Sequence, residues 1–303
     1  IRWNVAHLIE GEVKEIHAEN DAWRLTYVQD EGQPSQSITG NGLVITGPGP
    51  AKPIEIRPDG IYQRVLDGQT FWQNLDKFTD IPFGEEPIGV IGSGETAASV
   101  VIALLQNLEN EIPILVMNRQ GAIFSRGESY GENRVFSDPE EAGWSDFSYS
   151  DREEFIKRTD RGVFSLDSKA LIDGCRHVTH MRVDVEHIKI VDEFGEDRPR
   201  VIGPYTNVQQ EIPLSYVIVA VGFNPWWFTD CIHGPLKGFM LDTDHRKILE
   251  RDIEYDLSLP SRQVSPKLFV PMLAGYAQGP GFPNLSCLGN LSDRILGAYV
   301  TAP

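Results

Sequence analysis

The segment Gly92-Ser-Gly-Glu-Thr-Ala97 has the residue types and spacing to hold a dinucleotide. It fits G-x-G-x-x-A, follows the apolar run Pro87-Ile-Gly-Val-Ile and opens a long amphipathic stretch. Glycines at 92 and 94 let the backbone turn tightly and approach a pyrophosphate. Ala97 lets helix and strand pack closely, and the helix start offers free N–H groups at the positive end of its dipole. Gly92, Ser93, Gly94, Glu95, Thr96 and Ala97 are therefore candidate cofactor contacts, with a purely structural glycine turn as the alternative. Folds specific for NAD place an acidic residue at the end of the second strand. This chain instead has Asn118-Arg119 and then Arg126. Positive charge there suits the 2′-phosphate of NADPH; the alternative is that Arg119 and Arg126 are merely solvated.

Two other patterns carry less. Gly127-Glu-Ser-Tyr-Gly131 fits the G-x-S-x-G elbow of a hydrolase, which needs a strand before it and a helix after it. The residues after Ser129 have no apolar periodicity and meet Pro139 early, so a poor helix is expected and Ser129 is set aside as a nucleophile. Cys175-Arg-His177-Val-Thr-His180 matches no usual metal-ligand spacing, and no metal is expected.

The elements that would position the fingerprint read as follows. From 87 to 117 an apolar run, a glycine turn, a helix and a second apolar run (Ile114-Leu-Val-Met) make a βαβ unit, with Ala97, Val101, Leu104, Leu105 and Leu108 at helical spacing on the buried face. Residues 11 to 29 alternate as a hairpin, and a strand from 42 ends in Gly47-Pro-Gly-Pro, where proline breaks the ladder. Residues 51 to 86 are Pro-rich and irregular, which puts a boundary near 80. A helix is expected around 151 to 158, strands at 181 to 191, 214 to 221 and 267 onward, and a closing helix at 291 to 300.

The 303 residues include 44 acidic and 27 basic ones, a formal charge of −17, so nucleic acid or an anionic membrane is an unfavourable partner. No apolar run approaches the roughly 20 residues of a membrane span. Cys175, Cys231 and Cys287 are odd in number and share no short spacing, which suits core residues in a reducing compartment. A soluble, cytoplasmic protein able to form a homo-oligomer is expected. The chain opens on Ile1 and runs directly into strand-like sequence, so a preceding segment is expected as well.

The strand ends Val44-Ile-Thr-Gly47 and Val219-Ala-Val-Gly222, taken with 84 to 97, are spaced as in two-dinucleotide flavoproteins. Further segments carry a more specific likeness: Ile45-Thr-Gly-Pro-Gly, Phe124-Ser-Arg-Gly-Glu, Glu132-Asn-Arg-Val-Phe-Ser-Asp-Pro, Arg158-Thr-Asp-Arg-Gly-Val-Phe-Ser, Pro266-Lys-Leu-Phe-Val-Pro and Gln278-Gly-Pro-Gly-Phe-Pro-Asn-Leu-Ser-Cys-Leu-Gly. In order and spacing the chain resembles the siderophore-associated lysine and ornithine N-hydroxylases, most closely the mycobactin-type lysine N6-hydroxylases. The resemblance implies an α/β fold of the two-dinucleotide-binding flavoprotein type. In that arrangement a Rossmann-like NADPH domain (82–223) is inserted into a partial FAD-type domain (1–81 and 224–303), and Gly47 and Gly222 join the cofactor contacts.

The resemblance also implies that NADPH reduces FAD and that O2 activated on the flavin hydroxylates the side-chain amine of L-lysine. Asn133, Asp160 and Ser286 are the substrate-binding residues it implies, and Thr159-Asp160-Arg161-Gly162 looks more like the lysine-type than the ornithine-type version. Two departures stand out. The family's first glycine fingerprint, for FAD, is expected upstream of residue 1. Its pattern of Asp, three residues, then Ala-Thr-Gly-Tyr at a strand end stands here as Ser215-Tyr-Val-Ile-Val-Ala-Val-Gly-Phe223, where the glycine survives while the Asp, Thr and Tyr do not. An L-ornithine N5-hydroxylase and a non-catalytic NADP-binding module are the competing readings.

Overall fold

The computed structural model describes residues 6–79, 81–82, 85–120, 122–160, 162–193, 195–205, 208–284 and 286–300. The chain divides into two compact units. The first comprises Ile1–Gly49, Arg134–Ser148 and Pro225–Pro303; the second comprises Pro50–Asn133 and Tyr149–Asn224.

In the second unit the apolar runs pair as a five-stranded parallel sheet in the order Val178–Arg182, Ile114–Asn118, Ile88–Ile91, Tyr216–Val219, Val65–Asp67. All four residues of Ile88–Ile91 are buried, as a strand covered on both faces requires. On one face the helix Glu95–Asn107 lays down Ala97, Ala98, Val101 and Leu104, all fully buried, beside Phe71 and Phe78. Each large side chain so buried contributes about 1.5–3 kcal/mol. Met117, Val217 and Val219 pack with Ile188, Val201 and Leu214 in a second apolar cluster. Ile188 and Val201 belong to a four-stranded sheet ordered Val208–Pro213, Glu196–Tyr205, His187–Glu193, Ile56–Arg57. A two-stranded parallel ribbon, Phe124–Arg126 with Val163–Ser165, completes the unit.

The first unit holds the antiparallel sheet Glu12–Glu19, Ala22–Val28, Gln36–Gly40, with its first turn at Asn20 and Asp21, both at positive φ. It also holds the parallel pair Gly42–Val44 and Lys267–Phe269. Trp23, Phe228, Met240, Leu249, Leu268 and Phe282 form its core, and the buried Trp23 indole N–H donates to the Lys267 carbonyl at 2.9 Å. The helix Leu288–Gly297 closes it.

Several expectations need correcting. The compact second unit begins at Pro50 rather than near 80, because the short strands Ile56–Arg57 and Val65–Asp67 pair into its sheets. The expected strand at 181–191 is two strands, Val178–Arg182 and His187–Glu193, in different sheets. The residues after Ser129 do form a helix, Tyr130–Ser137, which ends before Pro139. Ser129 caps it by accepting from the Glu132 N–H at 3.1 Å, and Glu132 in turn accepts from the Gly127 N–H at 2.6 Å. The hydroxyl is thus a capping group. Among the described residues no helix is long and apolar enough to cross a membrane.

Candidate functional site

The glycine fingerprint sits at the carboxyl end of the parallel strand Ile88–Ile91, where open α/β sheets bind ligands. Gly92 has φ +144°, and a methyl group there would collide with the Ala220 carbonyl oxygen. Its N–H donates to the Met117 carbonyl at 2.9 Å, and the Ala220 N–H donates to Ile91 at 2.8 Å. Glycine at 92 is therefore demanded by the approach of three strands. Gly94 is different: it is the extended N-cap of the helix Glu95–Asn107, and nothing lies within 4 Å of the place a Cβ would take. No side chain caps that helix, so its first N–H groups are left without an intrahelical or capping partner.

Around that opening the remaining fingerprint residues take distinct roles. The Glu95 carboxylate accepts a hydrogen bond from the Ser165 N–H, fixing the ribbon strand Val163–Ser165 to the helix start. The Thr96 methyl packs where a side chain on Gly68 would stand, at 2.9 Å from that position. Ala97 is fully buried against the sheet. The Ser93 hydroxyl lies 2.9 Å, and the Gln120 amide 3.6 Å, from the position of a Cβ on Gly162, which has φ +71°.

Gln120 was not foreseen. Its N–H donates to Asn118 Oδ1 at 2.9 Å, while its buried Oε1 has no hydrogen-bond partner among the described residues. An orphaned buried acceptor is costly. It stands close to Ser93 and two residues beyond the second strand, where a ribose hydroxyl could donate to it. The only signal in the sequence is its place just after Asn118-Arg119.

Arg119 is exposed directly after the strand Ile114–Asn118, and half-buried Arg126 ends the strand Phe124–Arg126. Among the described residues neither guanidinium is paired with a carboxylate, although the chain carries an excess of acidic groups. The open helix start, the orphaned Gln120 acceptor and two unpaired arginines fit an NADPH molecule. In the first unit, the strand Gly42–Val44 leads to Gly47 at φ +86° with nothing within 4 Å of a Cβ position, a clearance that fits a flavin nucleotide. Gly222, at φ +92°, accepts from the Lys52 N–H at 2.9 Å within the second unit.

Asn133 lies in the helix Tyr130–Ser137 with an exposed side chain whose Oδ1 is 3.7 Å from the Cβ position of Gly127. Asp160 follows the helix Tyr149–Thr159, half-buried, its N–H donating to Ile156 at 2.9 Å. Arg161 lies outside the described residues. Asn133 and Asp160 belong to the second unit and Ser286 to the first, where Ser286 is exposed and its N–H donates to Asn284 Oδ1 at 2.8 Å. The loop before Ser286 is held tightly, since a side chain on Gly281 would run into the Phe136 carbonyl. Buried Arg294 was also missed. It donates to Gln278 at 3.0 Å and Glu140 at 3.1 Å, and its guanidinium lies 4.0 Å from the ring centre of Tyr255 and 4.6 Å from that of Phe282. It braces the first unit.

Residues 1–178 match the family described as L-lysine 6-monooxygenase/L-ornithine 5-monooxygenase. Over its full length the chain is 34% identical to the L-lysine N6-monooxygenase MbtG of Mycobacterium tuberculosis, covering 68% of that protein. Among solved structures it resembles the lysine monooxygenase NbtG of Nocardia farcinica, with a TM-score of 0.69 and 31% identity over 94% of this chain and 66% of that one. It also shares the fold of the ornithine N-hydroxylase KtzI of Kutzneria sp. 744, with a TM-score of 0.70 at 15% identity over 98% and 74% of the two chains. The chain thus spans about two thirds of the length of these relatives, and its mixed α/β fold with a parallel sheet is similar to that of the solved ones. On this fold and this extent of identity, the chain belongs to the L-lysine 6-monooxygenase/L-ornithine 5-monooxygenase family.

Proposed function

We propose that this chain acts in an FAD- and NADPH-dependent monooxygenase reaction that hydroxylates N6 of L-lysine for hydroxamate siderophore assembly. The single observation that carries the reading is the full-length identity to proteins named as L-lysine N6-monooxygenases; the open, cation-flanked glycine turn supports it. The second unit is the NADPH-binding domain, inserted into a flavin-binding domain to which the first unit belongs. Bound together, the two cofactors supply the reducing equivalents and the oxygen activation.

The chain's own residues do the rest. The helix start at Gly94 and Glu95 offers N–H groups to the pyrophosphate, with Ser93 and Thr96 beside it. Gln120 Oε1 accepts from a ribose hydroxyl, and Arg119 and Arg126 hold the 2′-phosphate with planar, permanently charged forks. The substrate amine has to be neutral to act as a nucleophile, although a free lysine holds its proton to about pH 10.4. An amide oxygen accepts from a neutral amine without stabilising the ammonium form as a carboxylate would. Asn133 is assigned that role; Asp160 and, separately in the first unit, Ser286 are the further substrate contacts that the family likeness implies. Lysine and ornithine differ by one methylene, which an apolar slot separates by only about 1–3 kcal/mol. The choice of lysine therefore rests on polar groups placed for one chain length.

The test is to incubate the full-length protein with FAD, NADPH, O2 and either amino acid and to quantify the hydroxylated amine. Lysine should give product and ornithine much less. Product from ornithine in excess of that from lysine would overturn the substrate, and NADPH-independent or flavin-independent product would overturn the reaction.

A further inference from the structure

The first unit holds a group of potential metal ligands unconnected with the glycine turn. Glu15 and His17 lie on the strand Glu12–Glu19, and His233 lies far away in sequence. A parallel bridge joins Ile16 to Ile232, with the Ile16 N–H donating to Cys231 at 2.7 Å and the His233 N–H to Ile16 at 2.9 Å. Successive side chains on a strand alternate faces. Because Ile16 and Ile232 both point into the core, at 3% and 0% exposure, residues 15, 17 and 233 are turned together to the outer face.

There the His17 and His233 rings stack with centroids 4.8 Å apart and planes inclined by 15°. Glu15 Oε2 is 3.2 Å from His17 Nε2, and one donor atom from each of the three side chains lies within 4.8 Å of the other two. Two imidazoles and a carboxylate are the donor set of sites that keep further positions open for water. Ligands bound tetrahedrally at about 2.1 Å stand roughly 3.4 Å apart. The Glu15–His17 pair already meets that spacing, and the exposed His233 ring, stacked on His17, brings its ligand atom within 4.8 Å of both. The Cys175, His177 and His180 run forms no such group among the described residues.

We propose that Glu15, His17 and His233 bind one divalent transition-metal ion, of the zinc class, on the outer face of the first unit. The ion would pin the first strand to the 231–233 segment, two pieces of chain brought together only by folding, so it binds the folded state and stabilises it.

The experiment uses the full-length protein without a histidine tag, stripped with a chelator and titrated with ZnCl2 in a calorimeter, followed by thermal unfolding with and without the ion. One zinc per chain and a zinc-dependent rise in Tm are expected. His17→Gln and His233→Gln should each weaken binding at least about tenfold, a loss of about 1.4 kcal/mol, and abolish the rise. Glu15→Gln, which leaves the stacked rings in place, provides a third variant if either histidine variant fails to fold, and it should weaken binding in the same sense. Absence of stoichiometric zinc, or undiminished binding by the folded variants, would overturn the site.

Discussion

The carboxylate of Glu95 receives the backbone N–H of Ser165, so the acidic residue of the glycine fingerprint is spent on the protein rather than turned to a ligand. The bond ties the start of the helix Glu95–Asn107 to the strand Val163–Ser165 and to the helix Leu166–Asp173, which Ser165 caps through the Ser168 N–H. Removing the acceptor leaves a partly buried N–H unpaired. Glu95→Ala should cost about 1.5–3 kcal/mol, the range for hydrogen bonds to charged groups. Glu95→Gln, which keeps an acceptor oxygen, should cost less. Amide exchange at Ser165 is the readout, and unchanged protection in Glu95→Ala would show that the bond contributes nothing.

The proposed preference for NADPH rests on Arg119 and Arg126, which have no carboxylate partner among the described residues. Each of Arg119→Ala and Arg126→Ala should weaken NADPH by at least about tenfold, since one charge-assisted hydrogen bond contributes about 1.5–3 kcal/mol, while NADH binding changes little. Equal losses for both cofactors would mean that neither side chain reads the 2′-phosphate. Gln120→Ala differs in expectation, since an acceptor for a ribose hydroxyl serves both cofactors alike.

The βαβ unit, the glycine turn and the family were legible in the sequence because each depends on near neighbours: a period-3.6 apolar face, two glycines between a strand and a helix start, and ordered short segments. What escaped depends on distance along the chain. The strands Ile56–Arg57 and Val65–Asp67 are too short to announce themselves and exist only because partners at His187–Glu193 and Tyr216–Val219 are waiting. Gln120 became notable only when Gly162 was folded against it. Arg294 reads as an ordinary helix-end cation until Tyr255, Phe282 and Glu140 enclose it. The helix Tyr130–Ser137 has a weak apolar pattern, and its Ser129 and Glu132 caps supply what periodicity does not.

A pH dependence of the first unit follows from Asp256. Burial acts to raise its pKa, but the Lys267 ammonium and the hydroxyl and N–H of Ser258, at 2.6 and 3.1 Å, outweigh burial and hold it below the ordinary value. A carboxyl depressed on folding adds stability that is complete above the unfolded pKa of about 3.9 and disappears as pH falls through the folded value. Lys267 mirrors this: burial lowers its pKa, the Asp256 bond more than restores it, and its contribution is lost only as pH rises through that raised value. Stability should therefore decline in acid from about pH 4 downward. Asp256→Asn should be less stable at neutral pH and show a flatter acid limb, and an identical acid limb would exclude Asp256 as its source.

The amine position is tested at Asn133. Its amide is exposed on the helix Tyr130–Ser137, held by the Ser129 and Glu132 caps, and its Oδ1 lies 3.7 Å from the Cβ position of Gly127, an ordinary van der Waals separation. An oxygen so placed can accept from a neutral amine while leaving it nucleophilic. Asn133→Ala removes the acceptor but touches none of the groups assigned to NADPH. Hydroxylated lysine should fall by on the order of a hundredfold, the usual cost of losing orientation at a reacting centre, while NADPH consumption continues. Asn133→Asp separates position from charge. A carboxylate at the same place would hold the amine as its ammonium ion, so product should again be lost even though lysine still binds, and raising the pH should recover part of it as the amine deprotonates. Normal hydroxylation by Asn133→Ala would remove the residue from the substrate site, and full activity of Asn133→Asp at neutral pH would show that the amine is kept neutral by something else.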